Sequence, residues 1–140
     1  MVKVTKLGQY LGEYRHSLTE RNRLALPKRI RIEIDEFEVI LTRGFESCIV
    51  GYDLARWKEM VKQPLALPAY EEAGRNLRRK LFTSAVVVEL DAQGRVVLPE
   101  THLNWAKLDG KVGEEVIILG VGDHFEIWQK GEWESFSQRL

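Results

Sequence analysis

The sequence predicts a fold that is mainly β in its core with helices at the periphery, built as two tandem hairpin-containing repeats. Three observations carry this. Residues 18–27 recur 72 positions later, and in each copy strand-like runs give way to helical spacing at matching points. The third is bulk: 140 residues, 44% hydrophobic and 30% charged, fit a soluble chain of one domain or two very small ones. A unit of half this length buries too little surface to stand comfortably alone. The halves are therefore expected to share a core with each other or with a second chain.

The elements follow from the repeat. Leu18-Thr19-Glu20-Arg21-Asn22-Arg23-Leu24-Ala25-Leu26-Pro27 lies over Leu90-Asp91-Ala92-Gln93-Gly94-Arg95-Val96-Val97-Leu98-Pro99. Each copy opens with a short strand, at about 14–18 and 85–90, ending in a polar turn with Asn22 or Gly94 near its tip. Asn and Gly tolerate positive φ, so both turns can close alike. A second strand (23–26; 95–98) stops at Pro27 or Pro99, since proline donates nothing to a ladder and readily opens a helical turn. A short helix or irregular segment comes next, then two more strands, at 38–42 and 47–52 and at 115–119 and 124–128. Here the offset becomes 76, placing Ile40 on Val116, Gly44 on Gly120, Ile49 on Phe125, Tyr52 on Trp128 and Trp57 on Trp133; the change is absorbed between Pro99 and Glu115. Asp53 is then a candidate N-cap for a helix with Leu54, Trp57 and Val61 on one face, repeated more briefly over 131–136. A helix with a basic second half is predicted over 70–81. The organisation read from this is a first repeat over 1–66, a linking helix within 67–82 and a second repeat over 83–140.

Composition excludes several classes. The single cysteine, Cys48, sits in the apolar run Ser47-Cys48-Ile49-Val50, has no disulfide partner and reads as a small buried side chain. A reduced, cytoplasmic setting fits this, as does an N-terminus without an apolar leader segment. No apolar run approaches the ~18 residues of a membrane helix. His16, His102 and His124 have no partners at metal or triad spacing. Glu71-Glu72 and Glu114-Glu115 are neighbours and do not face each other across a site. No enzyme, metal or cofactor is expected. Trp57, Trp105, Trp128 and Trp133 read as core or subunit-interface residues, not as stacking platforms for bases.

The formal net charge is zero, but it is divided. Residues 1–80 carry 16 Lys and Arg against 11 Asp and Glu, whereas residues 81–140 carry 5 against 10. Opposed charges of this kind suit a directional surface or head-to-tail association. The most concentrated basic stretch is 15–31, where Arg15, Arg21, Arg23, Lys28, Arg29 and Arg31 face only Glu20.

Together these residues resemble the MraZ family, in the AbrB-like swapped-hairpin superfamily. The segments 17–27 and 90–99 resemble its two D-x-x-x-R hairpins, Phe125-Glu126-Ile127-Trp128 its F-E-I-W signature, and Leu41-Thr42-Arg43-Gly44 with Trp57 and Trp133 also fit. The resemblance spans nearly the whole chain. It implies swapped hairpins closing a pseudo-symmetric, double-psi-like barrel. It also implies an octamer-like ring of identical subunits, association with the nucleoid, and a bacterial transcriptional regulator acting on the division and cell-wall gene cluster. The second hairpin keeps the pattern in Asp91 and Arg95; the first has Thr19 for the aspartate and Asn22 for the glycine. Thr19 can cap a turn but cannot pair with Arg23.

Read from the residues, Asp91 and Arg95 form a structural ion pair. Arg15, Arg21 and Arg23, with Lys28, are the candidate DNA contacts. Arg21 and Arg23 are two apart and on a strand would share a face, with Arg15 joining from the paired strand. Such a ribbon suits phosphates or guanine edges in a major groove. The leading expectation is a sequence-specific DNA-binding repressor. The alternative is a protein-interaction module, antitoxin-like or enzyme-regulating, whose basic hairpin meets an acidic protein partner.

Overall fold

The computed structural model describes residues 5–140; the reading of the extreme N-terminus lies partly outside it, over residues 1–4. The first half contains β1 (Glu13–Ser17), a 3-10 turn (Glu20–Asn22), β2 (Arg23–Ala25), α1 (Lys28–Arg31), β3 (Glu38–Arg43), β4 (Ile49–Asp53), α2 (Leu54–Met60) and α3 (Lys62–Ala66). After α4 (Glu72–Thr83) come β5 (Val86–Glu89), β6 (Arg95–Val97), α5 (Glu100–Trp105), β7 (Glu115–Gly120), β8 (Phe125–Gln129) and α6 (Lys130–Ser137). The molecule is mainly β with peripheral helices. The helix expected over 70–81 runs from Glu72 to Thr83, and α3, with Pro64 at its third position, adds to the helices the sequence predicts.

The halves are interleaved. Six strands form one antiparallel sheet in the order β1-β7-β8-β4-β3-β5, and β2 pairs with β6. The first strand of each repeat thus lies against the hairpin of the other repeat: β1 on β7, β5 on β3. Each half covers the other's apolar surface within one chain, so smallness of the halves no longer argues for a second chain. The expected barrel is not closed. β2 and β6 have three residues each and stop at Pro27 and Pro99, so the sheet stays open, with β1 and β5 as its edges.

One repeat equivalence shifts. Val39 pairs with Asp53 and Arg43 with Ile49, while Val116 pairs with Gln129 and Gly120 with Phe125. Strand β4 therefore matches β8 at an offset of 76, but β3 matches β7 at 77. The sequence alignment had followed Gly44 onto Gly120; the ladder puts Arg43 there, and the extra residue lies in the turn between β3 and β4.

Two cores lie on opposite faces of the sheet. One joins Val39, Leu41, Val116, Ile118 and Phe125 to Leu24, Leu26, Val96, Leu98 and Ile30. Leu24 faces Val96 across the centre of the β2–β6 ribbon, and both are fully buried. The other joins Ile117, Leu119 and Trp128 to Trp57, Trp133 and Phe136 of the covering helices. Cys48 is buried there, and burial pushes its thiol pKa well up, which leaves little reactive thiolate. Asp53 and Gln129 cap α2 and α6 identically, each accepting from the backbone N–H three residues on.

Candidate nucleic-acid interface

The ribbon β2–β6 presents one face to the core and one outward. Arg23 lies opposite Val97 and Ala25 opposite Arg95. Directly opposed residues share a face, so the ribbon's outer face carries Arg23, Ala25, Arg95 and Val97, while Leu24 and Val96 point inward. The motif arginines of both repeats are thereby brought onto one surface. Each hairpin also ties to the other: the Leu26 N–H donates to the Gly94 carbonyl at 3.0 Å and the Leu98 N–H to the Asn22 carbonyl at 2.8 Å.

The two turns close by different chemistry. In the second, Asp91 Oδ1 accepts from the backbone N–H groups of Gln93 and Arg95, both at 2.9 Å, and Oδ2 accepts from Arg95 Nε at 2.8 Å. The backbone bond from Arg95, followed by its side chain and the Gln93 amide, holds the Asp91 carboxyl below its usual pKa. In the first, the Thr19 hydroxyl donates to the Arg23 carbonyl at 3.1 Å, and Arg23 has no ion pair among the described residues. Asn22 and Gly94 have positive φ, as expected; Arg21 has it too, at φ 59°. A side chain at Gly94 would collide with Arg31, whose Cδ lies 2.4 Å from an ideal Cβ there.

Of the six basic residues over 15–31, two are engaged inside the fold. Arg29 donates to the Thr5 carbonyl and to Glu33, and Arg31 donates to the Leu26 carbonyl. Arg21 and Lys28 are exposed, at the first turn and at the start of α1. The expected geometry needs two corrections. Arg21 lies in the 3-10 turn and not on β2, so it does not share a strand face with Arg23. Arg15 does not join from a strand paired to β2, because β1 pairs with β7. It sits opposite Ile117, on the side of the sheet that packs under α6, where it helps hold Glu115 below its usual pKa after the larger effect of Lys130. The cross-repeat ribbon leaves little trace in the sequence, since a three-residue strand carries no periodicity. The only available signal was that 23–26 and 95–98 both end at proline.

Among the described residues no group of three or more His, Cys, Asp or Glu side chains is placed to hold a metal ion. No helix of the described residues is long and apolar enough to cross a membrane.

Comparison with known proteins also finds the chain duplicated. The family model described as "MraZ protein, putative antitoxin-like" matches twice, over residues 10–80 and 81–140. The chain is 39% identical over 126 residues to a protein named transcriptional regulator MraZ from Roseiflexus sp. (strain RS-1), covering 90% of this chain and 85% of that one. It is 38% identical, with the same coverage, to the protein of that name from Roseiflexus castenholzii (strain DSM 13941 / HLO8).

Proposed function

Because the chain belongs to the MraZ family, we propose that it is a DNA-binding transcriptional regulator that grips duplex DNA through the outer face of its β2–β6 ribbon. The observation that carries this reading is the convergence of Arg23 and Arg95 on that face, with Arg21 exposed at the adjoining turn. Arg23, free of a carboxylate, is the reader; Arg95, tied to Asp91, sets the turn. Lys28 contacts phosphate, while Arg15, on the other side of the sheet, does not join this surface. A two-stranded ribbon fits a major groove, and guanidinium groups suit both phosphates and guanine edges.

The finer proposal is a repressor of the division and cell-wall genes, its own promoter included, working in the cytoplasm at the nucleoid as an octamer-like ring on tandem DNA repeats. Association is supported by exposed apolar side chains, Phe37 at 81% and Val87 at 61%, and by two open sheet edges. One hairpin makes few contacts; several on spaced repeats raise avidity ~10²–10⁴-fold. The family description's word "antitoxin-like" favours a second reading, in which the same basic face meets an acidic protein.

The test is a gel-shift titration on the chain's own upstream region at several salt concentrations, with light scattering alongside. Arg23→Ala should weaken binding steeply in an intact oligomer, whereas Arg95→Ala should disturb thermal stability or assembly first. Loss of binding by Arg95→Ala in a stable oligomer, with Arg23→Ala silent, reverses the assignment. Salt-insensitive or absent DNA binding rejects the reading.

A further inference from the structure

A cleft of about 540 Å³ lies where the C-terminal end of α4 meets β3 and α5, with Arg43, Thr83, Thr101, Asn104 and Trp105 among its lining. The DNA reading makes no use of it. Its volume is that of a small-molecule site, and its chemistry is one-sided. The Arg43 guanidinium lies over the Trp105 ring at 5.2 Å, and the Lys80 ammonium is 5.5 Å from the same ring and 4.9 Å from that of Phe45. No carboxylate lines the cleft.

The arginine is also under-used. Among the described residues its Nε is buried without a hydrogen-bond partner, and its side chain donates only from Nη2, to Thr83 Oγ1 at 3.3 Å. That nitrogen is shut off from the cleft as well as from solvent, so a ligand oxygen is met by the Nη groups of the fork. The walls hold it in place. The Arg43 backbone N–H donates to Ser84 Oγ at 3.0 Å, and the Trp105 indole N–H to the Glu46 carbonyl at 3.1 Å. His102 joins α5 to both neighbours through Nε2, which donates to the Ser84 carbonyl at 2.7 Å and to the Leu41 carbonyl at 3.2 Å. Carbonyls only accept, so Nε2 carries the proton and this wall is fixed.

We propose that the cleft binds a small phosphomonoester, its phosphate taken by Arg43 and Lys80 and its carbon skeleton resting on Trp105. Arginine forks match phosphate oxygens, and a terminal dianion gains more from a second cation set against the same Trp105 ring than the monoanionic phosphodiester of a DNA backbone does. This proposal does not depend on the DNA reading.

Isothermal titration calorimetry of the full chain tests it, with AMP and ribose 5-phosphate as ligands and adenosine as the phosphate-free control. Both phosphates should bind and adenosine should not. Arg43→Gln and Lys80→Gln should each weaken phosphate binding about tenfold or more, while Lys62→Gln leaves it unchanged. Since Arg43 is partly buried, circular dichroism checks its fold, and Lys80→Gln, whose ammonium lies against the Trp105 ring, keeps the test decisive if Arg43→Gln misfolds. Absence of phosphate binding overturns the proposal, as does binding that both variants leave intact. So does a result in which the variants change only duplex binding or only subunit assembly: the cleft then belongs to one of those surfaces.

Discussion

Replacing Asp53 with alanine removes one buried carboxylate that holds three donors. Asp53 is 3% exposed at the end of β4. Its Oδ2 accepts from the Tyr10 hydroxyl at 2.6 Å and from Arg56 Nη1 at 2.5 Å, and its Oδ1 caps α2 by accepting from the Arg56 backbone N–H at 2.8 Å. Tyr10 is fully buried, so its hydroxyl is left without an acceptor, at ~1–3 kcal/mol. Losing the cap adds ~1 kcal/mol. Arg56 is partly compensated: it reaches the Gly8 carbonyl, stacks over the Tyr10 ring at 5.0 Å and touches solvent. The total should be about 3–5 kcal/mol, the usual cost of breaking a buried pair from one side. Tyr10→Phe removes the donor itself and should cost only ~1 kcal/mol. In the double variant no hydroxyl is orphaned, so the combined loss should fall short of the sum by ~1–3 kcal/mol. Urea unfolding followed by tryptophan fluorescence, at one fixed subunit concentration, measures all four proteins. Strict additivity, or an Asp53→Ala loss under ~1 kcal/mol, would refute the reasoning.

Three further outcomes are expected. Thr19→Asp should give the first turn the carboxylate that the second has, engage Arg23, and lower DNA affinity while flattening the salt slope by about one unit; unchanged binding counts against Arg23 as a reader. His124 is bound through Nδ1 to Asp123 at 2.7 Å and through Nε2 to Glu126 at 2.9 Å; burial opposes its charge, but Glu126 and then Asp123 outweigh it and raise its pKa above 6.5. Its stabilising contribution is therefore complete below the unfolded value and is lost as pH rises through the raised one. Thermal melts from pH 6 upward, set as the assay range, should show this decline in the native chain and a flatter profile in His124→Gln. Gly51→Ala should destabilise by ~1–3 kcal/mol, because a Cβ there would lie 2.2 Å from Phe125 Cζ at the seam between β4 and β8; a melting temperature equal to the parent's would show that the ring yields freely.

The sequence alone determined most of the elements and their duplication. Alternation, prolines at fixed places and the Asp53 cap are local signals, and a local signal survives without knowledge of the rest of the chain. The Asp91–Arg95 pair was legible for the same reason, since four residues of one turn bring its atoms together. What only the tertiary structure decided was partnership. That β1 lies on β7, that β2 meets β6 across the repeats, and that Arg15 therefore sits on the other side of the sheet from the ribbon, all depend on pairings 70 to 106 residues apart in sequence. Trp105 shows the same limit: its apolar surroundings read as core, yet folding set Arg43 and Lys80 against its ring. Side-chain periodicity fixes which face a residue takes on its own strand. It does not fix which strand lies alongside, because that choice is made by the burial of both apolar faces at once.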